Sequence, residues 1–408
     1  MRITCSTMTP VETSLDIRPP FPIAIIYSPS HFLGHKFKDE NNIIAALEHR
    51  DRVSDIHIVD PKGRSLKRWL VAMQKPLPAL TNFHLQCWPW RSLILPDAFL
   101  GGYAPRLRSV SLHRLAFPTF PKFVLRATHI VTLHLLDMPS SQYLSISPGV
   151  MATCLAALLD LKTLSIGFAL PPLTPIQTTP PNLPPLTRAV FPSLTDFQFV
   201  GISEYLEDFV ARIDTPLLDQ LGIALSMDFI SDTPQLHQFV GRTQSLRPLN
   251  HAQVTFSDFT NNITLGSPAR FVLEIPWDET DQLLSSVTQI CNDHFSCLSQ
   301  VEQLNICHDW GDPDIELEAR DEVDRSQWLE LFRPFRGVRS LYVTDKLEPL
   351  VADALRGLTG EMTMEVLPAL ENLCLDELGP SRSAQVAVES FIAARQLSDR
   401  PIVIQRQN

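Results

Sequence analysis

Three of the twelve histidines occupy the same place in a short repeated sequence kernel. The kernel reads apolar-x-x-apolar-x-apolar, and His57, His84 and His134 each stand between its last two apolar residues. In a strand this position points away from the apolar side chains on either side of it, because side chains alternate. Histidine titrates near neutrality, so the spacing predicts a polar surface that recognises a peptide or folded partner and responds to pH between roughly 5.5 and 7.5.

The same kernel position defines a longer column of candidate partner-binding residues. We expect this column, with His113 beside it, to lie on the concave face of a sheet, and an ordinary solvated sheet face is the alternative. Adjacent parallel strands lie ~4.8 Å apart, so His57 and His84 would be near neighbours. The candidates are His57, His84, Ser111, His113, His134, Ser165, Gln198, Asn305 and Tyr342, and the column also contains Gly222, Thr255, Glu274 and Cys374.

A second group of residues, between 291 and 308, has spacing that could hold a metal ion. Cys291, His294 and Cys297 could supply zinc ligands, with Cys307 or His308 as the fourth. However, 291–297 reads as a helix, in which positions three apart would spread the three side chains over ~120° of its surface. Cysteine is also a common buried apolar residue. We therefore predict no metal site and no cofactor.

Motifs that carry catalysis are missing from the sequence. It contains no Gly-x-Gly-x-x-Gly, no phosphate-cradling Gly-Lys-Ser/Thr loop, no His-Glu-x-x-His and no Gly-x-Ser-x-Gly. Serine, histidine and aspartate all occur, but their spacing defines no triad. We therefore predict a protein without catalytic residues that is not an enzyme.

Charge and composition restrict the partners and the compartment. The 408 residues include 34 Lys and Arg against 45 Asp and Glu, a net charge of −11, which argues against nucleic acid or an anionic membrane as partner. No apolar run approaches the ~18–20 residues of a membrane-spanning helix, and the N-terminus lacks the pattern of a secretory signal. Seven scattered cysteines favour reduced thiols. We expect an intracellular protein, cytoplasmic or nuclear.

The kernel recurs along nearly the whole chain. Ten clear copies and two degenerate ones, near 251 and 270, follow one another at about 29 residues per step, which is the long end of leucine-rich repeats. The first apolar residues of the clear copies are Val53, Leu80, Leu107, Ile130, Leu161, Leu194, Leu218, Val301, Val338 and Leu370. One match is weak, but ten in order indicate a repeat protein.

Helices are predicted between the kernels from their start signals. Ser147-Pro148 and Thr233-Pro234 each place a cap and a first-turn proline before an apolar pattern, and Ser203 and Thr280 precede two others. Repeated strand–helix units form either a closed eight-stranded barrel or an open solenoid. About twelve units with one polar strand face favour an α/β fold: an irregular leucine-rich-repeat solenoid, or horseshoe. It would have a one-layer parallel sheet on the concave face and helices on the convex face.

We divide the chain accordingly. Residues 1–50 form the start of the solenoid and 51–380 form about twelve repeats, with a proline-rich insertion near 170–190 and an acidic one at 309–324. Residues 381–408 form a capping helix and tail, because the open end of a solenoid must be covered. Val386, Val388, Phe391 and Ile392 are the apolar residues expected to face the last repeat.

Several segments along the chain have a distinctive sequence. Among them are Glu-Tyr-Leu-Glu-Asp-Phe-Val-Ala-Arg-Ile-Asp at 204–214 and Glu-Val-Leu-Pro-Ala-Leu-Glu-Asn-Leu at 365–373, and the others are 38–49, 96–108, 127–133, 232–243, 327–335 and 391–396. In sequence and in order, these segments resemble the leucine-rich-repeat region of the F-box-like protein family of mushroom-forming fungi. Members of this family begin with an F-box that docks on a Skp-type adaptor of a ubiquitin ligase, and their repeats hold the substrate. Residues 1–50 lack the F-box pattern, so Met1 begins where the family has already left that module.

The resemblance implies a non-catalytic substrate-recognition module for a protein partner. A Skp-type adaptor would be a second partner only if an F-box is encoded upstream. Two alternatives stay open: a structural repeat scaffold without a ubiquitin-ligase link, and an enzyme with acids and histidines at its strand ends.

Overall fold

The structure, a computed structural model, describes most of the chain in two compact units. The described residues are 3–6, 21–28, 40–60, 64–87, 93–139, 146–169, 187–225, 233–246, 249–257, 260–276, 284–294, 296–309, 325–344, 346–356, 358, 365–376, 382–397 and 400–407. Unit 1 comprises residues 1–201 and 208–218, and unit 2 comprises 202–207 and 219–408. Most of the predicted proline-rich insertion near 170–190 and of the acidic insertion at 309–324 lies outside the described residues. No helix in the described ranges combines the length and the apolar character needed to cross a membrane.

Unit 1 alternates strands and short helices. Its strands are β1 (Ile3–Cys5), β2 (Ile23–Tyr27), β3 (Val53–Asp60), β4 (Asn82–Cys87), β5 (Leu93–Ile94), β6 (Ser109–His113), β7 (Leu115–Ala116), β8 (Thr132–Met138), β9 (Thr163–Phe168), β10 (Ala189–Val190), β11 (Asp196–Gly201) and β12 (Ile213–Asp214). Its helices are α1 (Asn41–Glu48), α2 (Arg64–Ala72), α3 (Phe120–Val124) and α4 (Pro148–Leu155).

One sheet runs through unit 1 in the order β1-β2-β3-β4-β6-β8-β9-β11, and every pair in it is parallel. Burial alternates along each strand: Phe83 and Leu85 are buried, whereas Asn82 and His84 are not. The buried side chains face the helices, and the opposite side of the sheet, which we call the open face, carries the remaining ones. Among the described strands, β1 pairs with β2 alone, so the sheet of unit 1 ends there and does not close into a barrel.

The described part of unit 2 contains eight further strands and most of the remaining helices. The strands are β13 (Gln220–Leu225), β14 (His251–Ser257), β15 (Thr260–Leu265), β16 (Phe271–Pro276), β17 (Gln303–Asp309), β18 (Ser340–Val343), β19 (Asn372–Asp376) and β20 (Val403–Gln407). The helices are α5 (Ser203–Ala211), which begins in unit 2, α6 (Pro234–Arg242), α7 (Ser285–His294), α8 (Arg325–Phe332), α9 (Glu348–Arg356) and α10 (Arg382–Leu397).

Each of the ten clear kernels ends on a strand, and these strands are parallel to their described neighbours in the sheet. Helices occupy most of the connections between them. This confirms the predicted α/β fold class, a repeat of leucine-rich-repeat type with a one-layer, mostly parallel sheet.

The two degenerate kernels depart from that pattern. They form β14 and β16, but no helix separates them; β15 lies between them and is antiparallel to both. The strand order of unit 2 is therefore β13-β16-β15-β14-β17-β18-β19-β20, in which β16-β15-β14 is an inserted meander. Short connections can join only antiparallel strands, and the five residues between β15 and β16, which include Gly266 at φ +91°, are too few for a crossover helix. The expectation of two ordinary strand–helix units here was wrong.

Three of the four predicted helix starts are confirmed. At one of the three, the group that caps the helix is not the predicted one. The Ser147 hydroxyl accepts a hydrogen bond from the Val150 backbone N–H, and α5 begins at Ser203. Helix α6 begins at Pro234, but the carboxylate of Glu207, rather than Thr233, accepts from its first N–H groups. Helix α7 begins at Ser285, five residues after the predicted cap at Thr280.

The C-terminal helix α10 is followed by one more parallel strand, β20, which pairs with β19. Val388 and Phe391 are buried as predicted, but Val386 is 51% exposed. At 100° per residue the buried face runs through Ala387, Phe391 and Arg395, and Val386 lies beside it. The strand at 403–407 was not predicted, because Ile-Gln-Arg-Gln at its end offers little apolar pattern.

Candidate interaction surface

A continuous row of predicted site residues crosses the open face of unit 1. Backbone register joins them strand by strand, and each is the direct neighbour of the next. We call this set the histidine row: His57, His84, Ser111, His134, Ser165 and Gln198. It lies where the period-2 pattern predicted, because each member is flanked along its own strand by buried apolar side chains.

The first two histidines of the row are in contact. The imidazole rings of His57 and His84 stack with their centroids 4.3 Å apart and their planes 10° from parallel. His57 is exposed and His84 is half-buried. Neither is packed in the core, and both line an open depression of about 420 Å³ that also contains Ser111 and His134.

The other end of the row is held by side-chain hydrogen bonds. The Nδ1 atom of His134 lies 2.8 Å from the Ser165 hydroxyl, which in turn donates to Oε1 of Gln198 at 3.5 Å. Ser165 is buried between its neighbours, whereas Gln198 is exposed. Ser165 therefore holds the side chains of His134 and Gln198 in place, and a partner would contact these two side chains rather than Ser165 itself.

A second row of polar residues runs parallel to the first, two residues earlier on each strand. We call it the aspartate row: Asp55, Asn82, Ser109, Thr132, Thr163 and Asp196. The carboxylate of Asp55 accepts a hydrogen bond from the Ser54 hydroxyl at 2.6 Å and another from the Asn82 amide at 2.7 Å. Asp55 and Asn82 thus form a preorganised polar pair beside the stacked histidines.

Burial sets the protonation of these side chains. It lowers the pKa of His84 to about 4, helped by the neighbouring His57, His113 and His134, and it lowers the pKa of His134 against the opposing effect of Asp196. Burial likewise raises the pKa of the Asp196 carboxyl. His84 is therefore neutral across the pH range from 5.5 to 7.5 in which the sequence predicted a response, and that prediction was wrong for this residue.

His113 belongs to a separate cluster. Its Nε2 lies 3.0 Å from the carboxylate of Asp137, which also pairs with the Arg114 guanidinium at 3.2 Å. Burial lowers the pKa of His113, and Asp137 opposes that shift. His113 is on the open face, in register with Gln86 rather than with the histidine row.

Asn305 and Tyr342 lie in unit 2, on adjacent strands and in register. Together with His251, Gln303 and Cys374 they line a depression of about 250 Å³. The amide of Gln303 donates to the Tyr342 hydroxyl at 3.4 Å. These residues form a surface of unit 2 that we describe separately from the histidine row.

The meander changes the predicted column in unit 2. The neighbour of Asn305 on β14 is Gln253, and Thr255 is in register with Cys307 instead. Glu274 follows on β16, across from Asn262 of the antiparallel strand β15. The predicted column placed Thr255 level with Asn305, and the register places it two residues away, because a degenerate kernel does not keep the register of a complete one.

The cysteine and histidine residues between 291 and 308 do not converge where they are described. Cys291 is buried in α7, and Nδ1 of His308 lies 2.8 Å from the Thr344 hydroxyl. Cys307 is on the opposite face of β17 from His308, because adjacent strand residues point to opposite sides. The side chains of His294 and Cys297 lie outside the described residues, and the described ones contain no group of three metal-ligating side chains.

Sequence reasoning missed two functional positions. Asp55 was not proposed, although it occupies the same kernel position as Asn82, which makes it predictable from the register alone. Glu207 was missed because its carboxylate acts on the following helix, 28 residues away along the chain.

Comparisons with known proteins give limited matches. No family model matches the chain, and no curated protein matches it. Among solved structures, the chain is similar to the leucine-rich repeat-containing protein LegL7 from Legionella pneumophila at 10% identity, with 96% of this chain and 97% of that one covered and a TM-score of 0.35. The resemblance to the F-box-like family stays an interpretation of sequence segments.

Proposed function

We propose that this protein is a non-catalytic interaction module that binds a protein partner on its open sheet face. The observation that carries the proposal is the histidine row, in which consecutive parallel strands present polar side chains in register. A flat surface of this kind, built on rigid strands, offers hydrogen-bond donors and acceptors at a fixed spacing of ~4.8 Å. Repeat proteins use such extended surfaces for binding.

The sequence resemblance to the F-box-like family suggests a more specific role. In that reading the module holds the substrate of an F-box-type ubiquitin ligase inside the cell, and a Skp-type adaptor binds only if an F-box is encoded upstream. A repeat scaffold without a ligase link uses the same open face and differs only in the absence of the adaptor. Co-purification of a Skp-type adaptor with the protein expressed from its natural locus separates the two.

The binding face can be tested with a photo-crosslinking amino acid. We would place it at Val200, which is exposed on the open face two residues after Gln198, and in a matched variant at Lys67, which is exposed on helix α2. The proposal expects one partner to be captured from Val200 and not from Lys67, and expects His84→Ala with His134→Ala to weaken that capture while the thermal melt changes little. Equal capture from both positions, or capture that survives the double substitution, would refute the open face as the binding site.

A further inference from the structure

The two rows on the open face of unit 1 carry carboxylates and no lysine or arginine. Their acidic members are Asp55 and Asp196. His84 and His134 carry no positive charge near neutral pH, because burial disfavours their protonated forms. Charge complementarity therefore favours a cationic group on the partner.

The depression beside the stacked histidines restricts the shape of that group. Asp55, His57 and His84 line it together, and Asp55 is the charged side chain among its lining residues. Asp55 and His57 are two residues apart on β3, so their side chains leave the sheet on the same face. A carboxylate held by Ser54 and Asn82 thus lies next to a pair of parallel aromatic rings.

Among protein side chains, arginine matches this combination. Its planar guanidinium pairs with a carboxylate through parallel N–H donors and also lies against aromatic faces. A lysine ammonium can pair with the carboxylate but is a compact, strongly hydrated charge that gains less from flat rings. A carboxylate on the partner would be repelled.

We propose that the depression lined by Asp55, His57 and His84 receives an arginine side chain from a basic segment of the protein partner. This proposal rests on the proposed function and names the chemistry of its partner. Asp55 supplies the charge, the stacked imidazoles supply the flat surface, and the small side chains of Ser109 and Ser111 leave room for the entering group.

The test uses the full chain, with its histidines labelled for NMR, and short N-acetylated, C-amidated peptides in which serine alternates with one other residue. At about pH 7.5, where His84 is neutral, the arginine peptide should give saturable shifts of the His57 and His84 ring signals. The lysine peptide should bind about threefold more weakly. Glutamine and glutamate peptides should give no saturable shift, and the affinity for arginine should fall between about 50 and 200 mM salt.

Two substitutions assign the effect to the site. Asp55→Asn keeps an oxygen that accepts from Asn82 and removes the charge, and it should weaken the arginine peptide about fivefold. The matched control, Glu274→Gln, changes an exposed acid on the sheet of unit 2 and should leave the affinity within about twofold. His84→Gln, which retains Asp55, provides a second route should Asp55→Asn lower the thermal melt, and it should also weaken binding.

Three outcomes would overturn the inference: saturable binding of the glutamate peptide, tighter binding of an otherwise identical tryptophan peptide than of the arginine peptide, or arginine binding that neither Asp55→Asn nor His84→Gln changes. These results leave the proposed function separately testable. If the crosslinker at Val200 captures a partner but the arginine peptide gives no shift, the open face binds a partner of different chemistry, and only the arginine site fails.

Discussion

Acidification should destabilise the folded protein through His84. Its ring is half-buried against His57, and burial with three neighbouring imidazoles lowers its pKa from 6.5 to about 4. A depressed histidine pKa means that the unfolded chain binds the proton more readily than the folded one. The contribution is therefore fully present above pH 6.5, is lost progressively as the pH falls towards 4, and changes no further below that value.

The size of the effect follows from the same difference. If the ring were fully shielded from water, the gap between 6.5 and about 4 would correspond to about 3.4 kcal/mol of unfolding free energy. The ring is partly exposed, so solvent screens the interaction, and we expect about 1–2 kcal/mol. His113 and His134 act in the same direction, whereas Asp196 and Glu207, whose pKa values burial raises, act in the opposite one, since their protonated forms are favoured in the folded state.

A substitution isolates His84 from these other groups. Urea unfolding of the natural protein and of His84→Gln, at intervals from about pH 7.5 to about pH 4.5, gives the difference between two stability curves. The variant should lose about 1–2 kcal/mol less than the natural protein over this range. Parallel curves for the two proteins, or a His84 NMR titration centred near 6.5, would refute the reasoning.

Three further changes test other parts of the fold. Trp328→Ala should lower the free energy of unfolding by about 3–5 kcal/mol, because the buried indole packs against Phe256 and its removal leaves a cavity; a loss under about 1 kcal/mol in urea unfolding would contradict a core role. Glu207→Ala should cost about 1–2 kcal/mol by leaving the first N–H groups of α6 without their acceptor, and Glu207→Gln should cost less; equal losses in thermal melts would argue against capping. Ending the chain after residue 378 should lower the melting temperature and increase light scattering, because it removes α10 with Phe391 and exposes the edge of β19; an unchanged melt would show that this segment is dispensable.

The regular strands could be predicted because their apolar residues obey a strict period. Phe83 and Leu85 are two residues apart, so in a strand both side chains lie on the same face, and both are buried. This pattern determines where the strand lies, which of its faces packs on the core and how it aligns with the neighbouring strands. The meander could not be predicted by the same rule. Buried and partly exposed side chains also alternate along Thr260–Leu265, and the kernel does not indicate whether a strand runs parallel or antiparallel to its neighbours. The spacing of the kernels did indicate a departure from the repeat. The two degenerate kernels are only about 19 residues apart, which is too short for a strand, a helix and two turns.

The candidate site was predictable in position and less so in chemistry. Alternation places His57 and His84 on one face, and the fixed distance between strands makes them neighbours. The protonation of His84 depends on its burial and on the charges of three imidazoles from other strands, neither of which the period of one strand reveals. Ser165, which the sequence offers as a surface residue, is buried for the same reason.

The uncharged His84 and His134 and the aspartates on this face are parts of one electrostatic arrangement. If His57, His84 and His134 carried charge near neutrality, they would repel a cation and cancel Asp55 and Asp196, and a row with three imidazoles would be a poor surface for a basic partner. Burial and mutual repulsion keep His84 uncharged, so that ring serves as a flat, polarisable surface and leaves Asp55 to set the sign of the local charge. The crowding that costs the folded chain stability in acid is thus the same feature on which the proposed arginine site depends near neutral pH.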